Sequence, residues 1–422
     1  MWIMPDFDSS LQWIADQLPR MRTLVERWSN INSGSCHRPG LAAMTDELDH
    51  AFSQLNAQTA RIDLPPFPTI TDDGQTVRQP SGQALSVHHE SAGPTRVLLN
   101  IHMDTVYGPD QPFQTVREID ADTINGPGVA DAKGGLAIIL VALEALQRSD
   151  VADQLTWEVL INPDEEIGSP GSIDLLRQAA ARNDLGLLYE PSISPDGLFA
   201  AARKGSGNFT VVVCGQAAHA GRAFHDGRSA IVALADLVQS VHALNGQFDG
   251  ATINVGQIHG GTAINTVPDR AVCRINIRIT DQAHAPELEQ HLRALTSRIN
   301  QRDGLTAELH GSFHCPPKPM SDAALQLFGH LRACGDALGQ TVEWADTGGV
   351  CDGNKLAAWG LPNIDTLGPR GGAIHSDREF LILPSLVGRA QLSALFLMKL
   401  ASGQLKWMSP SDQSMHPKSI AQ

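Results

Sequence analysis

A histidine and an aspartate stand two residues apart at the end of an apolar run. The run begins at Val97 and leads to His102 and Asp104. Alternate residues of a strand point to the same side, so a strand here would place both side chains in one polar pocket. An imidazole beside a carboxylate suits a divalent metal, although a lone histidine near a core strand is more often a packing residue. Further ligands close by would be needed for a metal site.

Further acidic residues and a second histidine occupy similar positions along the chain. They are Asp131 before a helix predicted over 136–146, Glu165 and Glu166 after a strand predicted over 155–161, Glu190 after a strand predicted over 185–189, and His375 after a glycine-rich loop. Taken singly, Asp131 could be a helix cap and the glutamate pair could be solvated loop charges. In open α/β sheets, however, sites form at the carboxyl ends of the strands, where these residues are expected to meet.

The number and type of these residues fit a pair of metal ions. Two neighbouring divalent ions need a bridging carboxylate and about two nitrogen or oxygen ligands each. Asp131 as the bridge, with His102, Glu190, Glu166 and His375 as terminal ligands, satisfies this need. Imidazole and carboxylate ligands without thiolate favour zinc, with cobalt or manganese as substitutes. One glutamate is left over, and hydrolysis needs such a base beside the metals.

The order of predicted elements indicates two domains, one inserted into the other. At 422 residues the chain is too long for one ordinary core. Strand and helix alternate up to about residue 204 and again from 317. Between them we predict strands over 209–214, 252–258, 271–279 and 305–309 and helices over 228–244 and 287–299. This β-α-β-β-α-β order is typical of a ferredoxin-like domain, so residues 205–316 are predicted as an insertion between 1–204 and 317–422.

Other helices are predicted from apolar residues at helical spacing. They cover 9–30, with Pro19 as a possible kink, and 42–55, 322–338 and 384–401. The segment from Asp104 to Gly128, rich in Gly, Pro and Asp, and the glycine-rich segment 347–354 are predicted as loops. The polar tail beyond Met408 is predicted as loose chain.

Composition narrows the partners and the compartment. Asp and Glu number 46 against 31 Lys and Arg, a net charge of -15 that argues against nucleic acid or an anionic membrane as partner. Met1–Pro5 is too short for a signal peptide, and no apolar stretch reaches the length of a membrane helix. The six cysteines form no CxxC pair, which is typical of reduced thiols in a cytoplasm.

As an ordered set, the motifs resemble those of the M20 metallopeptidase family, and most of all its glutamate carboxypeptidase (carboxypeptidase G) branch. The set is His102-x-Asp104, Gly126-x-Gly128-x-x-Asp131-x-Lys133-Gly134-Gly135, Glu165-Glu166, Glu190-Pro191, His219-Ala-Gly, a Gly-Gly-Thr-Ala-Ile-Asn run ending at Asn265, and His375-Ser. The resemblance extends from the first helix to the last. It implies a zinc-exopeptidase-type, three-layer α/β/α catalytic domain with an inserted ferredoxin-like domain for dimerisation and as a lid.

The resemblance also implies roles for individual residues. His102, Asp131 and Glu190 would bind one zinc ion, and Asp131, Glu166 and His375 the other. Asp104 would orient His102, and Glu165 would be the general base that takes a proton from the attacking water. A cis peptide bond between Asp131 and Ala132 is implied as well.

Three residues of the insertion match substrate-binding residues of the family. His219 would stabilise the oxyanion from the partner subunit of a homodimer, and Asn265 and Arg278 would hold the free carboxylate of the substrate. Arg278 could instead be a surface strand residue. Arg203, Lys204 and Arg370 could bind an acidic side chain of the substrate or could be ordinary salt-bridge partners, and Cys351 is unusual for its place in the family.

These observations predict a metal-dependent enzyme that hydrolyses the amide bond next to a C-terminal amino acid, of the glutamate-releasing carboxypeptidase type. Its substrates would be small peptides or N-acyl amino acids. An N-acyl-amino-acid deacylase or a dipeptidase would use the same site. A non-catalytic metal-binding scaffold is a further alternative, but it would have no need of the Glu165–Glu166 pair.

Overall fold

The computed structural model describes residues 7–407, so Met1–Pro5 and the tail beyond Met408 lie outside the described residues. The helices are α1 Asp8–Ala15, α2 Leu18–Ser29, α3 Arg38–Phe52, α4 Gly134–Gln147, α5 Ile173–Arg182, α6 Ala230–His242, α7 His284–Asn300, α8 Asp322–Leu338, α9 Asp352–Ala358 and α10 Pro384–Ala401. Among the helices of residues 7–407, none is long and apolar enough to cross a bilayer.

The strands are two to ten residues long. They are β1 Gln58–Asp63, β2 Phe67–Ile70, β3 Thr76–Gln79, β4 Gln83–His89, β5 Arg96–His102, β6 Arg117–Asp120, β7 Thr123–Asn125, β8 Thr156–Asn162, β9 Leu185–Leu188, β10 Phe199–Arg203, β11 Gly205–Cys214, β12 Ala218–His219, β13 Thr252–Gly260, β14 Thr266–Val267, β15 Arg270–Ile279, β16 Thr306–Cys315, β17 Trp344–Thr347, β18 Asn363–Ile364, β19 Gly371–Gly372 and β20 Phe380–Ile382.

The central sheet has the strand order β1-β4-β8-β5-β9-β18. Strands β8, β5, β9 and β18 run parallel, whereas β4 and β1 are antiparallel. Alternate residues of β5 pack into different cores, because Leu99 joins the cluster that contains α4 and α10 while Leu98 joins the cluster that contains α5 and α9. Helices therefore cover both faces of the sheet, and the predicted three-layer α/β/α fold class is confirmed.

Residues 205–315 build a second sheet with its own core. Its four antiparallel strands follow the order β13-β15-β11-β16, the arrangement of a ferredoxin-like fold. Phe209 and Val211 of β11 and Ile275 and Ile277 of β15 face α6 and α7 in a separate hydrophobic cluster. On the opposite face, Ser206, Asn208 and Arg278 line a cavity that also borders Asp131 and Glu190.

Three local predictions were wrong. The helix predicted over 9–30 is two helices, because Pro19 occupies the first turn of a new helix, α2, where its missing N–H is tolerated. Helix α9 lies partly in the predicted 347–354 loop and begins with a bond from the Cys351 N–H to Asn354 Oδ1. Strands β6 and β7 lie in the other predicted loop, where pairing with β20 stabilises β7.

A hairpin formed by β2 and β3 contacts the inserted sheet. Arg274 of β15 donates hydrogen bonds to Asp72 Oδ1 at 2.5 Å and to the Ile70 carbonyl at 2.7 Å. The hairpin turn contains Gly74 at φ +77°, where a Cβ atom would lie 2.7 Å from Val212 Cγ1. A glycine is thus needed here both for the turn and for close contact with β11.

A buried ion cluster closes the junction between the two domains. Arg203 and Lys318 flank the insertion and exchange backbone N–H to carbonyl bonds of 2.9 and 3.0 Å. Both side chains donate to Asp365, from Arg203 Nη2 at 2.7 Å and from Lys318 Nζ at 2.6 Å. Burial opposes the charge of Asp365, but the two cations lower its pKa to about 2. One aspartate therefore ties the ends of the inserted domain to β18.

We predict that Asp365→Asn lowers the free energy of unfolding by about 3–5 kcal/mol, because it leaves two buried cations without their anion. The midpoint of urea unfolding at pH 7 measures this. The lowered pKa makes the contribution of Asp365 complete above the unfolded value near pH 4, with loss as pH falls towards 2, so the gap between wild type and variant should narrow there. The exposed Asp249→Asn is the control, and an equal midpoint for both variants would contradict the prediction.

Candidate metal centre

Three neighbouring parallel strands deliver the predicted site residues to one edge of the central sheet. His102 is the last residue of β5, Glu165 and Glu166 follow the end of β8 in a short helical turn, and Glu190 lies two residues beyond β9. Asp131 comes from the segment before α4, and His375 from the loop after β19. The carboxyl ends of β5, β8 and β9 meet at this edge because the strands are adjacent and parallel.

The side chains form two groups that share one aspartate. His102 Nε2 lies 3.1 Å from Asp131 Oδ1 and 3.6 Å from Glu190 Oε2. His375 Nε2 lies 3.3 Å from Asp131 Oδ2 and 3.2 Å from Glu166 Oε2. In each group the potential ligand atoms lie within 4.8 Å of one another, and each oxygen of Asp131 faces a different group. The residues predicted as ligands are thus brought together with Asp131 between them.

The backbone around Asp131 and His375 is unusual. The peptide bond between Asp131 and Ala132 is cis, as predicted. His375 has φ +61° and Ala373 has φ +52°, a left-handed conformation that is uncommon for residues other than glycine. Such conformations cluster at functional sites, where the surrounding structure holds them.

Asp104 lies behind the two groups and contacts both. The Nδ1 atom of His102 is 3.0 Å from the Asp104 carbonyl and 3.3 Å from its Oδ1, so Nδ1 donates the proton and Nε2 keeps its lone pair for the site. The backbone N–H groups of Glu165 and Glu166 donate to Asp104 Oδ1 and Oδ2 at 3.1 and 3.2 Å. One buried carboxylate therefore sets the position of the histidine and of the glutamate turn.

The site holds more acid than base. Burial raises the pKa of Glu165 well above its ordinary value, and the Glu190 carboxylate adds to this shift. Burial likewise raises the pKa of Glu166 to about 7. Bonds to Asp131 and Glu166 raise the pKa of His375 to about 11. Four carboxylates face two imidazoles here, an imbalance of charge that divalent cations would relieve.

Sequence reasoning missed the residue that holds the Asp131 segment. Glu379 Oε1 accepts the backbone N–H groups of Ala130 at 2.9 Å and Asp131 at 3.0 Å, while Oε2 accepts Gly128 N–H at 3.1 Å and the Tyr107 hydroxyl at 2.8 Å. Glu379 is far from Asp131 in the chain and belongs to no motif. Its position four residues after His375 was the one available signal.

A cavity of about 650 Å³ opens on the metal-ligand groups. Asp131, Glu165, Glu166, Glu190 and His375 line one wall. The inserted sheet supplies Arg278 to the same cavity, and the Gly349–Cys351 loop also lines it. Arg278 thus lies at the cavity, as its predicted substrate-binding role requires.

His219 and Asn265 are not brought to this cavity within one chain. Both side chains are exposed on the inserted domain, where β12 pairs with β14 and the Ala220 N–H donates to the Asn265 carbonyl at 2.9 Å. They are close to each other but do not line the cavity that contains Arg278.

The cations considered for an acidic substrate side chain have other partners. Arg203 lines the cavity but pairs with Asp365. Lys204 Nζ donates to the Gly250 carbonyl at 3.3 Å, and Arg370 Nε donates to the Pro195 carbonyl at 2.6 Å. Of the three, only Arg203 is among the residues that line the cavity.

The three-layer α/β/α domain carries two histidine–carboxylate groups that share one aspartate. This combination defines the class of metal-dependent exopeptidase-type hydrolases. The model of peptidase family M20/M25/M40 matches residues 98–399. The chain therefore belongs to this family, and it is a metallo-exopeptidase-type enzyme acting on peptide or linear amide bonds.

Relatives of known name support this assignment. The chain is 28% identical to Carboxypeptidase G2 of Pseudomonas sp. (strain RS-16) over 403 residues, which cover 93% of this chain and 92% of the relative. It is 29% identical over 306 residues to succinyl-diaminopimelate desuccinylase of Pseudoalteromonas translucida (strain TAC 125), covering 68% and 78%. The structure of human carnosine dipeptidase 1 superposes with a TM-score of 0.75 at 15% identity, covering 94% and 100%, and this likeness supports the fold.

We predict that Glu379→Gln weakens metal binding about 10- to 100-fold, because an amide turns an N–H donor towards the backbone donors that position Asp131. Competition with a chromophoric chelator measures the affinity without any substrate. The exposed Glu343→Gln is the matched control. Equal affinities for Glu379→Gln and wild type would show that Glu379 does not position Asp131.

Proposed function

We propose that the chain is a two-metal hydrolase that cleaves the amide bond next to a C-terminal amino acid. His102, Asp131 and Glu190 would hold one ion, and Asp131, Glu166 and His375 the other. The donor set fits, because it offers imidazole nitrogens and carboxylate oxygens without thiolate, which favours zinc and allows cobalt or manganese. When bound, such ions polarise the scissile carbonyl and acidify the attacking water.

The observation that carries the proposal is the position of Glu165. It lines the same cavity as the candidate ligands but belongs to neither ligand group. Its carboxylate is therefore available as a general base. Its raised pKa, caused by burial and by Glu190, suits a group that both accepts and returns a proton. Glu165 would take a proton from the attacking water and later give it to the leaving amine.

Arg278 would hold the free carboxylate of the released amino acid, opposite the metal-ligand wall. Its guanidinium faces the cavity from the inserted sheet, and a planar fork of donors matches a carboxylate. The likeness to Carboxypeptidase G2 supports a carboxypeptidase, of which the glutamate-releasing type predicted from sequence is one form. The desuccinylase relatives support the alternative of an N-acyl-amino-acid deacylase, and the dipeptidase fold neighbours that of a dipeptidase.

The six free cysteines support a reducing compartment such as the cytoplasm. Burial raises the pKa of the Cys315 thiol to about 12 and that of Cys351 well above its ordinary value, although both line the cavity. Neither would be a thiolate nucleophile or metal ligand at neutral pH.

We predict chelator-sensitive release of amino acids from a panel of N-acyl amino acids and dipeptides. Glu165→Gln should lower kcat by about 10²–10⁴-fold while metal content stays near that of wild type, because it removes a base and no ligand. The exposed Glu287→Gln serves as the control. Full activity of Glu165→Gln would refute the assignment of the base, and a panel without any chelator-sensitive hydrolysis would refute the proposed function.

We also propose that the insertion, 205–316, forms a homodimer and closes over the site as a lid. Strand β13 is an open edge of its sheet, and the domain exposes Phe224, Ile231, Val232, Ile258 and Ile264, of which Ile264 is fully exposed. Exposed apolar side chains beside a free strand edge suit a second copy of the chain. Because His219 and Asn265 share this domain surface, His219 of the partner subunit could complete the cavity.

Val232→Asp should convert the dimer to a monomer in sedimentation velocity at micromolar concentration, since it places a charge in the apolar surface. Position 232 lies in the first turn of α6, where an aspartate is compatible with the helix. Hydrolysis should fall by about 10²-fold with the loss of an oxyanion donor. Leu325→Asp on α8, an equally drastic change at a side chain 50% exposed, is the control. A wild-type monomer with full activity would contradict the dimer.

A further inference from the structure

The cavity beside the metal-ligand groups contains few positive charges that a substrate could use. Apart from His375, the basic side chains that line it are Arg203, Arg278, His314 and Lys355. A glutamate-releasing enzyme must bind two carboxylates of the leaving amino acid, one on the backbone and one on the side chain. The partners of these four side chains therefore bear on the substrate.

Two of the four basic side chains are cations that buried aspartates already neutralise. Arg203 donates to Asp365 through Nε at 2.9 Å and Nη2 at 2.7 Å. Lys355 Nζ donates to Asp352 Oδ1 at 2.7 Å and to Ser169 Oγ at 2.9 Å, and Asp352 in turn accepts from Asn162. Drawing either cation towards a substrate would leave a buried carboxylate unpaired, which is costly.

His314 adds no charge near neutral pH. Burial lowers the pKa of His314 to about 4, and the nearby Lys355 cation contributes to the shift. The imidazole is therefore neutral and can offer a hydrogen bond but no countercharge.

Arg278 differs from the other two cations because no carboxylate of residues 7–407 forms an ion pair with its guanidinium. Its Nη1 atom is buried and has no hydrogen-bond partner among the described residues. Its Nε donates to Asn276 Oδ1 at 3.1 Å. The orientation of the Asn276 amide is fixed, because Nδ2 donates to Ser206 Oγ at 3.1 Å and to Asn208 Oδ1 at 2.7 Å. Asn276 thus holds one edge of the fork and leaves the other for a ligand.

We propose, on the basis of the function proposed above, that Arg278 is the one cationic side chain of the described cavity residues available to a substrate anion. The leaving amino acid then carries one carboxylate, bound by Arg278, and an uncharged side chain. Asn276 is a positioning residue for Arg278. This specificity differs from the glutamate-releasing type that the sequence predicted.

Matched substrates test the proposal directly. N-acetyl-glutamine and N-acetyl-glutamate differ by one charge and almost nothing in shape, and N-acetyl-asparagine and N-acetyl-aspartate form a second pair. We expect kcat/KM to be about tenfold or more higher for the neutral member of each pair, because the described cavity residues of the chain offer no second unpaired cation for another carboxylate. Equal values, or a preference for the acidic members, would overturn the proposal while leaving the hydrolytic function intact. No chelator-sensitive hydrolysis of any member would overturn the proposed function, and the proposal with it.

Asn276→Asp tests the positioning role separately. An aspartate beside Arg278 would neutralise the guanidinium, so KM for neutral substrates should rise about tenfold with kcat within about twofold of wild type. Asn276→Ala should raise KM less, because it loosens the fork but leaves its charge. The exposed Asn56→Asp controls for the added negative charge, and circular dichroism checks folding. An unchanged KM in Asn276→Asp would overturn the role of Asn276.

Discussion

Negatively charged side chains are crowded together at one edge of the central sheet, and the surrounding structure must hold them there against their repulsion. Asp131, Glu165, Glu166 and Glu190 converge where two histidines are the nearest bases. Carboxylates this close repel one another and resist ionisation when buried, unless cations join them. Three adjacent parallel strands supply most of these residues and hold them together. Hydrogen bonds to Asp104 fix the Glu165–Glu166 turn, and hydrogen bonds to Glu379 fix the Asp131 segment. Metal binding follows from this enforced proximity.

Charge pairing also determines which cations are available on the cavity wall opposite the metal-ligand groups. Buried aspartates form ion pairs with three cations near the cavity. Asp365 pairs with Arg203 and Lys318 at the domain junction, and Asp352 pairs with Lys355 beneath the cavity. Arg278 is left with an amide as its neighbour. In the proposed function, catalysis and selectivity would thus rest on different domains, with Glu165 beside the central sheet and Arg278 on the inserted one.

The sequence predicted the strands whose formation depends on the pattern of neighbouring residues. Apolar runs ending in acids or histidine located β5, β8 and β9 and the candidate ligands that follow them, and alternation of apolar residues located the inserted sheet. Contacts between distant segments escaped prediction: Glu379 on the Asp131 segment, Arg274 on the β2–β3 hairpin, and the pairing of Arg203 with Asp365. An arginine in a sequence shows its charge but not its partner. For that reason the sequence allows Arg203 to be a substrate-binding residue, whereas the structure shows it paired with Asp365.

The number of metal ions bound per folded chain shows whether the site holds two ions that share Asp131. Protein stripped with chelator is titrated with zinc and followed by calorimetry, and bound metal is counted by plasma emission spectroscopy. The shared position of Asp131 predicts two tightly bound ions per wild-type chain and loss of tight binding at both places in Asp131→Ala. One ion per wild-type chain, or two ions retained by Asp131→Ala, would contradict the two-metal account.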